Sequence, residues 1–181
     1  MKLLRWIYPS IVGILLGSLQ TGLYFQLSFT LSSSFTTFLM VTVCWLLGSA
    51  IGVSIAKQVR ASVNVFLVLA LSAYLSCILL LTTAPFNTDL WPIYACSIIL
   101  TGLYPGIFFV RLNDFYSARE LFFKENNGFI AGLICGTILF LLKGRGALLV
   151  IPIVFTGIIA VCRIPIIADG YLTSIDKSGG G

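Results

Sequence analysis

Chemistry in this sequence has to come from amides, hydroxyls and a few carboxylates, because the chain contains no histidine. That removes the commonest haem ligand, zinc ligand and neutral-pH proton shuttle. The groups best placed to bind a solute are Gln20, Thr21 and Gln26 in the first apolar stretch, Tyr104 with Pro105 in the fourth, and Asn126 with Asn127 before the fifth. A proline inside a helix frees a backbone carbonyl and kinks the axis, and broken helices line binding sites in transporters. Each group also has a purely structural use. Gln20 and Gln26 can bridge helices, Pro105 can be a tolerated kink, and Glu125-Asn126-Asn127 can cap the fifth helix and favour its dipole. The six acidic residues, Asp89, Asp114, Glu120, Glu125, Asp169 and Asp176, all fall in expected loops or helix ends. No carboxylate is therefore expected at membrane depth, where ion-coupled carriers usually place one.

No catalytic residue and no cofactor or metal follows from these groups. There is neither a Walker A loop nor a dinucleotide fingerprint, and Gly144-Arg145-Gly146 sits in a short connection. The five cysteines, Cys44, Cys77, Cys96, Cys135 and Cys162, lie within apolar stretches without a CxxC pair and read as small packing residues. An enzyme is not expected, since neither a carboxylate pair nor a nucleophile with a nearby base is visible.

The elements that must position these residues are membrane helices. Hydrophobic residues make up 59%, charged residues 9%, and the mean hydropathy is +1.06, whereas soluble domains carry about 25% charged residues. A bilayer core about 30 Å thick takes roughly 20 helical residues per crossing. The charges divide the chain into helices near 6–28, 35–56, 62–83, 91–112, 127–143 and 147–168. The fold class expected is therefore an all-α membrane protein of about six transmembrane helices, a single polytopic domain over 1–177. Residues 178–181 read as an appended linker. The first helix is too long in its apolar part for a signal peptide and is expected to persist.

Charge orients the bundle. With the N-terminus in the cytoplasm, Lys2, Arg5, Lys57, Arg60, Arg111, Arg119, Lys124, Arg163 and Lys177 face inward and only Lys143 and Arg145 face outward. This is the positive-inside pattern, and it puts both termini in the cytoplasm. The basic residues are scattered over helix ends, so no nucleic-acid partner is expected despite a net charge of +5.

The chain also repeats itself at an offset of 84 residues. Leu19, Gly22 and Phe25 match Leu103, Gly106 and Phe109; Phe38 matches Phe122; Gly48 and Gly52 match Gly132 and Gly136. About nine of some 39 pairs agree across 14–52, against roughly three by chance in so apolar a composition. The repeats span about 6–83 and 91–168. Three helices per repeat is an odd number, so the second copy enters the membrane upside down, the arrangement of inverted-repeat transporters and channels. The small-xxx-small pairs formed by Ser18 and Gly22, Gly48 and Gly52, Gly102 and Gly106, and Gly132 and Gly136 predict close helix packing, with Gly13-Gly17 and Gly128-Gly132 as further pairs.

Between helices four and five, residues 111–127 mix charges with Phe115, Leu121, Phe122 and Phe123. An amphipathic helix lying in the headgroup layer suits this composition. Arg111, Asp114, Arg119 and Glu120 would then form a cytoplasmic docking surface.

Two stretches, Gly22-Leu-Tyr-Phe-Gln-Leu through Leu46-Leu-Gly-Ser-Ala-Ile-Gly52 and Phe123-Lys-Glu-Asn-Asn-Gly-Phe-Ile-Ala-Gly132, resemble the membrane domain of bacterial spermidine-synthase-like proteins. The likeness spans about half the chain and implies a helical domain of a bacterial inner membrane. That family's soluble aminopropyltransferase domain has no counterpart here, so no catalytic residue carries over. The paired redox cysteines of thiol-transporting inverted repeats are missing. Vitamin-binding subunits of energy-coupling transporters match in size and helix count alone.

Two functions are expected from these features. One is a transport or channel-type protein, or a solute-binding membrane subunit, with a weakly polar midplane site. The other is a non-catalytic anchor or assembly subunit docking through 111–127. The partners are the lipid bilayer and, in the second reading, a membrane or cytoplasmic subunit.

Overall fold

The computed structural model describes residues 2–31, 35–59, 61–113 and 115–178, with side chains at 2, 3, 5 and from 163 onward left aside. Six helices carry the chain: α1 (Lys2–Thr30), α2 (Phe35–Ile55), α3 (Val63–Thr83), α4 (Trp91–Leu112), α5 (Ala118–Lys143) and α6 (Arg145–Ser178), with a short 3-10 turn at Thr88–Leu90 before α4. No strand occurs among the described residues. All six are long and apolar enough to cross a bilayer, the architecture of a multi-pass membrane protein.

Local sequence explains where most helices begin. The Ser62 hydroxyl accepts the Asn64 amide at 3.2 Å and caps α3. Asn87 accepts the Asp89 amide at 3.0 Å and starts the 3-10 turn. Pro92 opens α4, where its missing amide hydrogen costs nothing. Gly144 joins α5 to α6 with φ +70°, a conformation that glycine adopts freely. Inside the helices, hydroxyls return their hydrogens to carbonyls one turn back, as Ser18 does to Ile14, Thr42 to Phe38 and Thr137 to Leu133.

Three boundaries differ from the sequence expectation by more than two residues: α1 begins at Lys2 and not near 6, α6 runs on to Ser178 past 168, and α5 begins well before 127. The segment before residue 127 is not a separate interfacial helix, because α5 starts at Ala118 and runs unbroken to Lys143. Ser117-Ala-Arg-Glu120 is a capping-box sequence, and the Ser117 hydroxyl accepts the Glu120 amide at 3.3 Å. Lys124 then pairs with Glu120 one turn back at 2.5 Å. Glu125, Asn126 and Asn127 are therefore interior helical residues and not the cap.

Two glycine seams hold the bundle together. α1 makes its largest contact with α5, and α2 with α4. A Cβ on Gly48 would strike the carbonyl oxygen of Ile99, and one on Gly102 would strike that of Trp45. In the other seam, a Cβ on Gly132 would strike the Ile14 oxygen, and one on Gly17 that of Phe129. Gly52 and Gly106 extend the first seam, Gly13 and Gly128 the second. Residue numbers rise together along both partners, so each seam joins two parallel helices, as a chain that crosses the membrane alternately requires. In lipid, where apolar burial gives no drive for association, such close backbone packing is a main source of cohesion.

Polar ties supplement the seams. The Ser49 hydroxyl lies 3.1 Å from the Gly102 carbonyl as well as 3.0 Å from that of Trp45. Arg145 donates to the Thr30 hydroxyl at 2.8 Å, fastening the start of α6 to the end of α1. Lys124 sits 4.8 Å from the centre of the Trp6 ring, joining the opposite end of α1 to α5.

Candidate functional site: two clefts meeting at Phe129

Among the described residues, three cavities of similar size open between the helices; one, lined by Ser76, Leu79, Leu80, Thr83, Ile93 and Ser97, lies between α3 and α4 away from the candidate residues, and candidate residues line the other two. Of these two, the first, about 330 Å³, lies between α2, α4 and α5 and is lined by Trp45, Leu46, Ser49, Ala50, Val53, Pro105, Gly106, Phe109, Glu125, Asn126 and Phe129. The second, about 380 Å³, lies between α1, α2 and α5 and is lined by Gln20, Thr21, Tyr24, Phe25, Phe38, Val41, Thr42, Phe129, Leu133 and Thr137. Phe129 lines both. The first takes the C-terminal halves of α2 and α4 and the N-terminal half of α5. The second takes the opposite halves of α2 and α5, so the two clefts sit at different depths along the bundle.

Seven pairs of their lining positions correspond at the 84-residue offset of the repeat. Thr21 matches Pro105, Phe25 matches Phe109, Val41 matches Glu125 and Thr42 matches Asn126; in the other direction, Phe129 matches Trp45, Leu133 matches Ser49 and Thr137 matches Val53. The correspondence also shows where the halves differ. Val41 and Thr42 in one cleft stand where the other has a carboxylate and an amide.

Glu125 departs from the expectation that every acidic residue falls in a loop or at a helix end. It stands seven residues into α5 (125 − 118), about 10 Å along the axis at 1.5 Å per residue. Only 7% of its surface is exposed. Among the described residues its carboxylate has no hydrogen-bond or ion-pair partner. On insertion scales a charge at the centre of a membrane helix costs about 2.5 to 3.5 kcal/mol, and intramembrane acids are accordingly rare and tied to function. The sequence signal that could have found it is the capping box at Ser117, which moves the helix start nine residues upstream of Asn127.

The other candidates divide. Thr21 and Gln20 line the second cleft, Pro105 and Asn126 the first. The Thr21 hydroxyl already donates to the Gly17 carbonyl at 2.8 Å, so toward the cleft it offers acceptor capacity. Gln26 is buried and lines neither cleft, and Asn127 is exposed outside both. Tyr104 is wholly buried, its ring tilted against Phe108 with centroids 6.0 Å apart, and the Phe108 ring meets Tyr8 at 6.2 Å. It belongs to the α1–α4 core and not to either cleft.

Of the docking candidates, Arg119 and Glu120 are exposed, and Asp114 lies outside the described residues. Arg111 turns inward and donates to the Val59 carbonyl, holding the α2–α3 connection against the end of α4. Among the packing glycines, Gly48, Gly52, Gly106 and Gly132 lie in the seams, while Gly22 makes room for the Tyr74 hydroxyl and Gly136 has only ordinary contact with Thr21. Among the described residues, no group of three histidine, cysteine or acidic side chains is gathered to hold a metal.

No family model, curated protein or solved structure matches this chain.

Proposed function

We propose that this chain is a small transport or channel-type membrane protein, or the solute-binding membrane subunit of one, built as two inverted three-helix repeats. The observation that carries this reading is the pair of clefts, which share seven lining positions at the repeat offset and meet at Phe129. Helix pairing supports the inversion. Exchanging α1 with α4, α2 with α5 and α3 with α6 turns the α1–α5 contact into α4–α2, and the α3–α4 contact into α6–α1. In such an arrangement one cleft serves each leaflet and the midplane residue separates them. We place both termini in the cytoplasm of a bacterial inner membrane, which puts the Glu125 cleft in the cytoplasmic half, and we read the chain as non-enzymatic.

Cysteine accessibility tests the reading. In a background with all five native cysteines replaced, Thr21→Cys, Pro105→Cys and Asn126→Cys are expected to react with a water-soluble maleimide, and Tyr104→Cys in the closed core to stay protected. Equal protection at all four positions would sink the solute-pathway reading.

A second reading, an anchor or assembly subunit, draws on the start of α5. There Arg119 and Glu120 are accompanied by Phe122 and Phe123, 62% and 68% exposed. Purification in mild detergent would then recover a stoichiometric partner that an Arg119→Ala/Glu120→Ala variant loses. Recovery of the native chain alone would count against it.

A further inference from the structure

We infer that the cleft between α2, α4 and α5 binds a hydrophobic monovalent organic cation, an amine or quaternary ammonium carrying an apolar body, with Glu125 as its counter-ion. This deepens the proposed solute-binding reading and rests on it.

Three features of the cleft converge on that ligand class. The first is an acidic side chain, more than nine-tenths buried, on the lining with no cation among the described residues to neutralise it. An ionised carboxylate held in an apolar bundle needs a positive partner, and none of the described cations meets that of Glu125. Arg111 donates to the Val59 carbonyl and Lys124 pairs with Glu120. The second is the aromatic wall of Trp45, Phe109 and Phe129. Aromatic faces attract cations most when water is excluded, and cages of such rings are a recurrent way of holding quaternary ammonium groups. The third is size: about 330 Å³ lies at the lower end for small-molecule sites.

The comparison with the other cleft isolates the cause. Its lining keeps the aromatic character in Tyr24, Phe25, Phe38 and Phe129, but Val41 stands at the place of Glu125. An apolar cation passing Phe129 from the first cleft to the second would lose its counter-ion and keep its aromatic contacts. The first cleft is therefore the binding position and the second a passage. A neutral apolar solute would gain nothing from the carboxylate, and any neutral solute would leave its charge uncompensated. An inorganic cation would find one carboxylate, one amide and one hydroxyl set among apolar walls, too few oxygens for the six to eight that calcium takes.

The full chain in nanodiscs of zwitterionic phosphatidylcholine provides the test, because that lipid does not itself concentrate cations. Calorimetric titration would compare benzyltrimethylammonium with neopentylbenzene, its uncharged carbon isostere. Saturable binding of the cation, tighter than that of the isostere, is expected. Glu125→Gln should weaken it about tenfold to a hundredfold, through loss of the Coulombic attraction between the carboxylate and the cation. Glu125→Asp should restore part of the loss, and Phe129→Leu, which keeps the charge, should weaken binding several-fold. Equal binding to wild type and Glu125→Gln would overturn the inference, and so would equal or tighter binding of the isostere. The wild-type comparison of the two probes decides without any variant having to fold. Binding of the isostere alone would overturn the cation and leave a solute site standing. Failure of both probes to bind would overturn the cation inference, while the cysteine accessibilities judge the pathway separately.

Discussion

The hydroxyl of Tyr74 donates at 2.6 Å to the main-chain carbonyl of Leu148, four residues before Pro152 in α6. Proline has no amide hydrogen, so the carbonyl one turn before it loses its helical partner. Tyr74 supplies the missing donor from α3, and Gly22 of α1 leaves space for the hydroxyl. The relationship predicts a coupling. Tyr74→Phe should destabilise the bundle by about 1 to 2 kcal/mol. In a Pro152→Ala background, where the α6 ladder closes on itself, the same change should cost much less. A double-mutant cycle of thermal or denaturant unfolding in detergent measures the difference, and additive effects would contradict the account.

The glycine seams predict an asymmetry between residues that look alike in sequence. Gly48→Ala and Gly17→Ala place a methyl on a carbonyl oxygen of the facing backbone, so two helices must separate. Losses of about 2 to 4 kcal/mol are expected. Gly136→Ala meets nothing closer than the Thr21 side chain at 3.6 Å, and Gly157→Ala meets nothing within 4 Å. These two should fold nearly as the parent does. Melting temperatures of the four purified variants rank the sites.

The continuous α5 makes a prediction at its N-terminal turns. Ser117→Ala should cost about 1 kcal/mol through loss of the cap. Phe123→Pro should cost about 3 kcal/mol or more by breaking the ladder inside the helix. If 118–126 were a separate surface segment, the proline would be nearly neutral and Glu125 would be open to aqueous carboxyl reagents.

The arrangement of basic residues predicts orientation. A reagent that cannot cross the membrane should label a cysteine placed at Gly146 from outside the cell, and cysteines at Lys57 and Arg119 only after permeabilisation. Labelling of all three from one side would exclude alternate crossing as described.

Which features were legible beforehand follows from how local their causes are. Six spans could be read because hydropathy belongs to each segment by itself, and the boundaries of α2, α3 and α4 fall within a residue or two of expectation. Composition misplaces the start of α5, because Arg119, Glu120, Lys124 and Glu125 give the turns around Phe122 and Phe123 an interfacial character. The decisive signal was the three-residue spacing of Ser117 and Glu120. The capping box places Glu125 inside α5, but its burial is not written in α5 alone, since it depends on the neighbouring helices, α1 above all. Likewise Gly13-Gly17 carries the second seam and Ser18-Gly22 does not, a choice made by the facing helix and invisible in either pair alone.

The α1–α5 seam has a temporal side. Gly13 and its partner Gly128 lie 115 residues apart (128 − 13), so at about 5 to 20 residues per second the ribosome needs on the order of ten seconds to deliver the second after the first. Over that interval α1, the most enclosed of the six helices, waits in the membrane with its glycine face bare. The α2–α4 seam closes earlier, and α1 is locked in only when α5 inserts beside it. A nascent chain arrested before α5 emerges should expose α1 to insertase or quality-control proteins, which makes the last third of the chain the step that releases the first.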